Sequence, residues 1–183
     1  MGIVVGIDIG GSTTKIAGFN GEEMLLPVQI TASNAIASLF GAFGKFLYDN
    51  DLELIDIDQV NLTGVGSSNI KQKIYGLPTY KVDEFSANGV GGGYFAEGKE
   101  DFMVVSMGTG TSFVRVQNRI PTHLGGIGIG GGTITGLSKL MLNTDDVDKI
   151  QEMASEGNVA HIDLRIGDIS NKPLAGLDLE ITA

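Results

Sequence analysis

Within ten residues, Gly6-Ile7-Asp8-Ile9-Gly10-Gly11-Ser12-Thr13-Thr14-Lys15 carries a carboxylate, a glycine pair, three hydroxyls and a lysine. Glycine lets backbone approach a ligand closely and turn N–H groups toward an anion. With Gly10, Gly11, Ser12, Thr13 and Thr14 around a bend, and Lys15 adding a mobile positive charge, the stretch can hold a phosphate. Asp8 can hold Mg2+ directly or through water, because Mg2+ takes oxygen ligands and keeps several waters. A tight surface hairpin with incidental hydroxyls has the same composition.

Three further stretches carry chemistry. Ser106-Met107-Gly108-Thr109-Gly110-Thr111-Ser112 repeats the glycine-and-hydroxyl pattern, although an ordinary hairpin would too. If the repeat is two-fold, the two loops face each other and can grip a polyphosphate from opposite sides. Gly125-Gly126-Ile127-Gly128-Ile129-Gly130-Gly131-Gly132-Thr133 precedes a predicted helix, where unpaired N–H groups would meet an anion at the positive end of the helix dipole. Asp83-Glu84 opens another predicted helix. A carboxylate there can take the proton of a hydroxyl that attacks phosphorus, yet acidic residues favour a first helical turn for electrostatic reasons alone. Of the two histidines, His161 reads as solvent-facing and His123 immediately precedes the glycine run. Neither stands near a carboxylate or second histidine at metal-ligand spacing. Asp145, Asp146 and Asp148 read as a solvated helix start.

The elements that must position these residues follow from periodicity. Ile3-Val4-Val5 and Ile16 to Phe19 flank the first loop as a β-hairpin, and Met24 to Ile30 supplies a third strand with Pro27 at an edge. From Asn34 to Tyr48, Ile36, Leu39, Phe40, Phe43 and Leu47 recur at helical steps, with Ser33 as the expected cap. Gln59 to Leu62 is a short strand ending in Thr63-Gly64-Val65-Gly66. Ser67 or Ser68 then caps an expected helix through Ile70 and Ile74, closed by Gly76 and Pro78. Thr79 to Val82 is a strand, and Glu84 to about Ala96 a helix weakened by glycine. This order fits a sheet that begins antiparallel and becomes parallel.

Near residues 98–100 the pattern begins again. Strands are expected over Asp101 to Met107, Thr111 to Val116 and Arg119 to Leu124. Helices follow around Gly132 to Leu142 and Asp145 to Ser155, and alternation through Ile162, Leu164, Ile166 and Ile169 predicts an extended piece. The hairpins make a weak internal repeat. The second copy stops before the strand–helix repeats that complete the first.

Composition narrows the class. In 183 residues, 42% are hydrophobic and 19% charged, values of a globular chain. A formal charge of −10 argues against nonspecific binding to nucleic acid or anionic membrane. There is no cysteine, so disulfides, Cys-ligated zinc and Cys-ligated iron–sulfur clusters within this chain are excluded. No apolar run is long enough to span a bilayer, and the expected setting is the cytoplasm.

Together, the Asp8 loop with Lys15, Val82-Asp83-Glu84-Phe85, the Thr109 loop and the Gly125–Gly132 run resemble the type II pantothenate kinases. These belong to the acetate and sugar kinase, heat-shock chaperone and actin superfamily. The resemblance implies an α/β fold of the actin-like ATPase (ribonuclease H-like) type with a mixed β-sheet flanked by helices. Residues 1–98 would form the first domain and 99–183 a second, incomplete one. It also implies phosphorylation of the primary hydroxyl of pantothenate by ATP, with Mg2+, in the first step of coenzyme A synthesis. Glu84 aligns with the family's catalytic base. Asp8 would place the metal; Gly10 to Lys15, Gly108 to Thr111, and Gly131, Gly132, Thr133, Ile134 and Thr135 would bind nucleotide.

Two departures stand out. His123 occupies the place of an arginine that holds pantothenate in the family, and neutral imidazole lacks the charge and fork of guanidinium. Family members are also longer, so an incomplete kinase is expected, one needing a further segment for turnover. A full-length homodimer regulated by coenzyme A or acyl-CoA is the corresponding family expectation. Alternatives are a kinase of another small hydroxyl substrate, an acyl-CoA dehydratase activator or a repressor-related sugar kinase, although the last two usually carry cysteine motifs. An inactive nucleotide-binding module completes the set.

Overall fold

β1 (Ile3–Ile9) buries Ile3, Val5, Ile7 and Ile9 and leaves Val4, Gly6 and Asp8 on its other face, the period-two pattern of a strand covered on one side. The computed structural model describes residues 2–31, 34–173 and 176–183. Its chain forms two compact units, Met1–Thr133 and Ile134–Ala183. In the first unit, β2 (Thr13–Asn20) runs antiparallel to β1, while β5 (Ile57–Thr63) and β6 (Thr79–Lys81) continue the sheet in parallel. β3 (Glu23–Met24) and β4 (Val28–Thr31) both pair with β2, and the strand order is β3-β2-β1-β5-β6. The mixed sheet has its antiparallel part first, as the element order predicts. The single strand expected over Met24 to Ile30 is divided between β3 and β4. Pro27 stands in the gap, and its missing N–H cannot join the ladder.

α1 (Ala35–Asp49) covers the inner face of this sheet with Leu39, Phe43 and Phe46, all fully buried among the β1 and β5 side chains. Gly18 of β2 leaves room for Phe46, whose ring tip occupies the place of a Cβ. Asn34 caps the helix, its Oδ1 accepting the N–H groups of Ile36 and Ala37 at 3.0 Å each. Ser33 lies outside the described residues. The helix expected from Ser67 through Ile74 does not form; two 3-10 turns, Val65–Asn69 and Ile74–Gly76, stand there instead. Ile70 (ψ 110°) and Lys73 (ψ 138°) are extended and Tyr75 takes φ +48°, so the chain leaves α geometry between the two turns.

The same unit holds α2 (Glu84–Phe95) and an antiparallel meander of β7 (Asp101–Met107), β8 (Thr111–Gln117) and β9 (Ile120–Ile127). α2 lies on this second sheet through its glycines, Gly89 against Pro121 and Gly92 against Val104. Arg115 forks onto Asp101 across the meander, at 3.3 and 3.0 Å.

The second unit comprises most of α3 (Gly131–Leu142), with α4 (Val147–Ser155) and α5 (Ile166–Ile169). Asp146 caps α4. Of the extended piece expected over residues 162–169, Arg165 makes an isolated antiparallel bridge with Thr182, and Ile166–Ile169 is α5 instead. Asp168 accepts the N–H of Arg165 at 2.8 Å and so starts a helix where alternation alone suggested a strand. No helix among the described residues is long and apolar enough to cross a membrane.

Candidate functional site

Strand alternation sets the first part of the site. Asp8 and Lys15 are directly opposed on β1 and β2 and point away from α1, with Lys15 Nζ 3.2 Å from Asp8 Oδ2. Both side chains are partly open to solvent, so the pair stabilises the fold by about 0–1 kcal/mol. An incoming phosphate can therefore recruit Lys15 at little cost. Thr14 alternates to the inner face and is fully buried, so its hydroxyl does not join the open loop expected from sequence.

The bend itself is tight. Gly10 donates its N–H to the Thr13 carbonyl at 2.9 Å, leaving Gly11 and Ser12 exposed at the tip. Behind Asp8 runs Thr63 of β5, its parallel neighbour, and then Gly64 at φ +83° and ψ 160°. A Cβ on Gly64 would strike Asp8 Oδ1 and the Ile9 backbone. Gly64 thus leaves room for the carboxylate, a role unassigned by sequence reasoning; the signal was a glycine following a strand parallel to β1.

The two hairpin loops come together. Ser12 Oγ lies 3.3 Å from Thr109 Oγ1, although the residues are 97 positions apart in the chain. Gly11 faces the same Thr109 hydroxyl. Ser12, Thr109 and Lys15 thereby contribute two hydroxyls and an ammonium to neighbouring loop tips.

The glycine run departs from its expected state. Gly125, Gly126 and Ile127 belong to β9, and the run then folds back over the Gly108–Gly110 turn. Gly131 donates its N–H to the Gly108 carbonyl at 2.8 Å, Gly132 to that of Thr109 at 3.2 Å, and Thr133 to that of Gly130 at 3.0 Å. The amides expected to be unpaired at the start of α3 are occupied by the neighbouring hairpin. Thr111 and Thr133 turn their hydroxyls to the Ile129 and Gly128 carbonyls, at 2.7 and 3.3 Å. A Cβ at Gly130 would sit 2.8 Å from the Gly110 backbone, and one at Gly126 would sit 2.6 Å from the Thr111 carbonyl oxygen. Backbone-on-backbone packing accounts for these glycines. Ile134, exposed, and Thr135, half-buried, continue α3 in the second unit.

At the start of α2, Asp83 accepts the N–H and the hydroxyl of Ser86, both at 2.9 Å. The Ser86 N–H, followed by its hydroxyl, holds the Asp83 carboxyl below the usual carboxylate range, with a smaller contribution from the His123 charge. Glu84, one position on, is exposed and makes no hydrogen bond or ion pair among the described residues. His123 of β9 stacks flat on Phe85, with ring centroids 3.6 Å apart and planes 10° apart. The stack sets His123 beside the first turn that carries Glu84. Phe85 is the second contributor to which sequence reasoning gave no role.

Asp8 is the carboxylate at the hairpin, and no group of three acidic or imidazole side chains suited to a metal lies together among the described residues. Such a donor set fits Mg2+ held by one protein oxygen, with water and phosphate oxygens completing six.

A family model described as Fumble matches residues 96–183. The type II pantothenate kinase of Bacillus cereus strain G9842 is 33% identical over 193 residues, covering 98% of this chain and 64% of that protein. The type II pantothenate kinase of Oceanobacillus iheyensis is 29% identical over 184 residues, again covering 98% and 64%. The chain therefore spans about 64% of the length of these relatives. Among solved structures, component A of the (R)-2-hydroxyglutaryl-CoA dehydratase of Acidaminococcus fermentans superposes with a TM-score of 0.68 at 17% identity, over 96% of this chain and 62% of that one. The activator of the 2-hydroxyisocaproyl-CoA dehydratase of Clostridium difficile, with bound ADPNP, gives 0.69 at 17% identity, over 90% and 59%. At that identity the likeness concerns the fold, which is the α/β actin-like ATPase fold. Over nearly its whole length, the chain is a homologue of the type II pantothenate kinases.

Proposed function

We propose that this chain carries the phosphate loops and the general base of an ATP-dependent pantothenate kinase. The observation that carries the reading is the 3.3 Å contact between Ser12 and Thr109, which joins two glycine–hydroxyl hairpins into one cradle. The homologues' names support the choice of reaction. Gly10 to Thr13, Lys15 and Gly108 to Thr111 would surround the nucleotide phosphates, with Gly131 to Thr133 beside the Gly108 turn; a nucleotide role for Ile134 and Thr135 rests on the family resemblance alone. Asp8 would hold Mg2+, which neutralises phosphate charge when bound. Glu84 takes the proton of the primary hydroxyl as that oxygen bonds to the γ-phosphorus. The bond from phosphorus to the β–γ bridging oxygen breaks, and ADP leaves. Little covalent help is needed, so placing and charge neutralisation dominate.

His123, stacked beside Glu84, would meet the pantothenate end. On this reading residues 99–183 begin a second actin-like domain. A cytoplasmic homodimer regulated by coenzyme A or acyl-CoA rests on the family resemblance alone. The test uses the chain and a version extended to the relatives' length. Glu84→Gln lowers turnover by roughly 10²–10⁴-fold with nucleotide affinity unchanged; unchanged turnover would remove Glu84 as the base. ADP release indifferent to pantothenate, in both the parent and His123→Arg, would remove pantothenate as the substrate.

A further inference from the structure

Twelve basic side chains stand against twenty-two acidic ones in this chain. Lys15, Lys45, Arg115, Lys139 and Arg165 have carboxylate partners. Of the seven basic residues with none among the described residues, Lys71, Lys73 and Lys81 line one cavity of about 140 Å³. Gln72 and Thr79 add polar lining, buried Leu62 and Ile70 supply the apolar part, and no carboxylate lines the space. Thr79 is already engaged, accepting from the Ile74 N–H at 3.1 Å and donating to the Leu77 carbonyl at 2.9 Å. That leaves Lys71, Lys73, Lys81 and Gln72 as polar lining side chains without a partner among the described residues.

Position argues for a ligand. Lys81 ends β6 opposite Leu62 of β5, at the carboxyl ends of two parallel strands, where open α/β sheets receive ligands. A lysine on an edge strand also blocks unwanted strand pairing, which alone would explain Lys81. It does not explain Lys71 and Lys73, which lie between the two 3-10 turns and line the same cavity. Three basic residues lining one small cavity favour an anion there, and no carboxylate lines it. Size then selects the anion. Whole small-molecule pockets run about 300–1,000 Å³, whereas 140 Å³ is the room of roughly five waters. A tetrahedral oxyanion fits there; a nucleotide does not.

We propose that Lys71, Lys73 and Lys81 form a phosphate subsite that takes inorganic phosphate or the phosphate end of a phosphomonoester. None of the residues lining it belongs to the Ser12–Thr109 cradle. The test titrates the 15N-labelled full chain at constant ionic strength with inorganic phosphate, glycerol phosphate and ADP in separate arms. Amides of residues 71–81 are expected to shift saturably with inorganic phosphate. Each exposed Lys→Ala change weakens binding by up to about fivefold, and the triple variant loses saturation. Equal affinity for glycerol phosphate identifies the phosphate end of an ester as a ligand, and much weaker affinity identifies the free ion. Non-saturating shifts, or unchanged saturation in the triple variant, overturn the subsite. The ADP arm, read at residues 11–15 and 108–111, reports on the nucleotide cradle independently.

Discussion

Gly64→Ala tests whether the position of Asp8 depends on the turn behind it. At φ +83° and ψ 160°, Gly64 occupies a region essentially reserved for glycine, so an alanine there costs about 1–3 kcal/mol in backbone strain. The new Cβ would also lie 2.6 Å from the Ile9 carbonyl oxygen and 2.8 Å from its carbon. Ile9 is fully buried in the middle strand of the sheet and cannot withdraw, so overpacking adds about 1–3 kcal/mol. At roughly 2–4 °C per kcal/mol for a chain of this size, the melting temperature should fall by about 4 °C or more. Gly21→Ala is the control, because Gly21 has φ +63° and nothing within 4 Å of its Cβ position. It meets only the left-handed penalty of about 1–2 kcal/mol. Melting is followed by circular dichroism, and Mg2+-dependent ADP binding is measured well below both transitions. Gly64→Ala should melt lower than Gly21→Ala and bind ADP more weakly, since Asp8 must move aside. Equal melting temperatures with unaltered binding would refute the argument.

Two further outcomes follow from packing and capping. Gly18→Ala forces the fully buried Phe46 out of its place and should cost about 1–3 kcal/mol in urea denaturation. Phe46→Leu in the same chain should relieve part of that cost, and strictly additive effects would speak against the contact. Asp83 has its folded-state carboxyl below the ordinary value of 3.8, so its contribution to stability is complete above that value and fades as pH falls through the lower folded one. The stability gap between parent and Asp83→Asn should be flat above about pH 5 and close at lower pH. A gap that widens on acidification would contradict the Ser86 cap.

What the sequence disclosed was mainly local. The helical spacing of Leu39, Phe43 and Leu47 located α1, and Asp83 beside Glu84 located the start of α2. Both hairpins were readable because turn residues sit between apolar runs. The failures share a physical origin in contacts between distant segments. Gly126, Gly130 and Gly132 looked like ligand-facing glycines, but the backbone of the preceding hairpin occupies the space beside them. Thr14 looked like its neighbours Ser12 and Thr13 until strand alternation turned it inward. Ile70 and Ile74 have helical spacing, yet each is buried from its own 3-10 turn, because the chain is extended at Ile70 and Lys73 between them. The stack of His123 on Phe85 depends on two elements meeting, and nothing in either residue's surroundings in the chain announces it.

The strand order also bears on how the molecule assembles. β7, β8 and β9 pair only with their immediate successors, and α2, which lies on them, directly precedes them. β1, by contrast, is complete only when Ile57 and its successors return to pair with Ile3 and its successors in parallel. Closing that large loop precedes any reward from its contacts, whereas the meander closes over short turns. A chain with only its short-range contacts in place therefore already has Glu84, His123 and Thr109 in their elements. The wall carrying Asp8 waits for the return of β5.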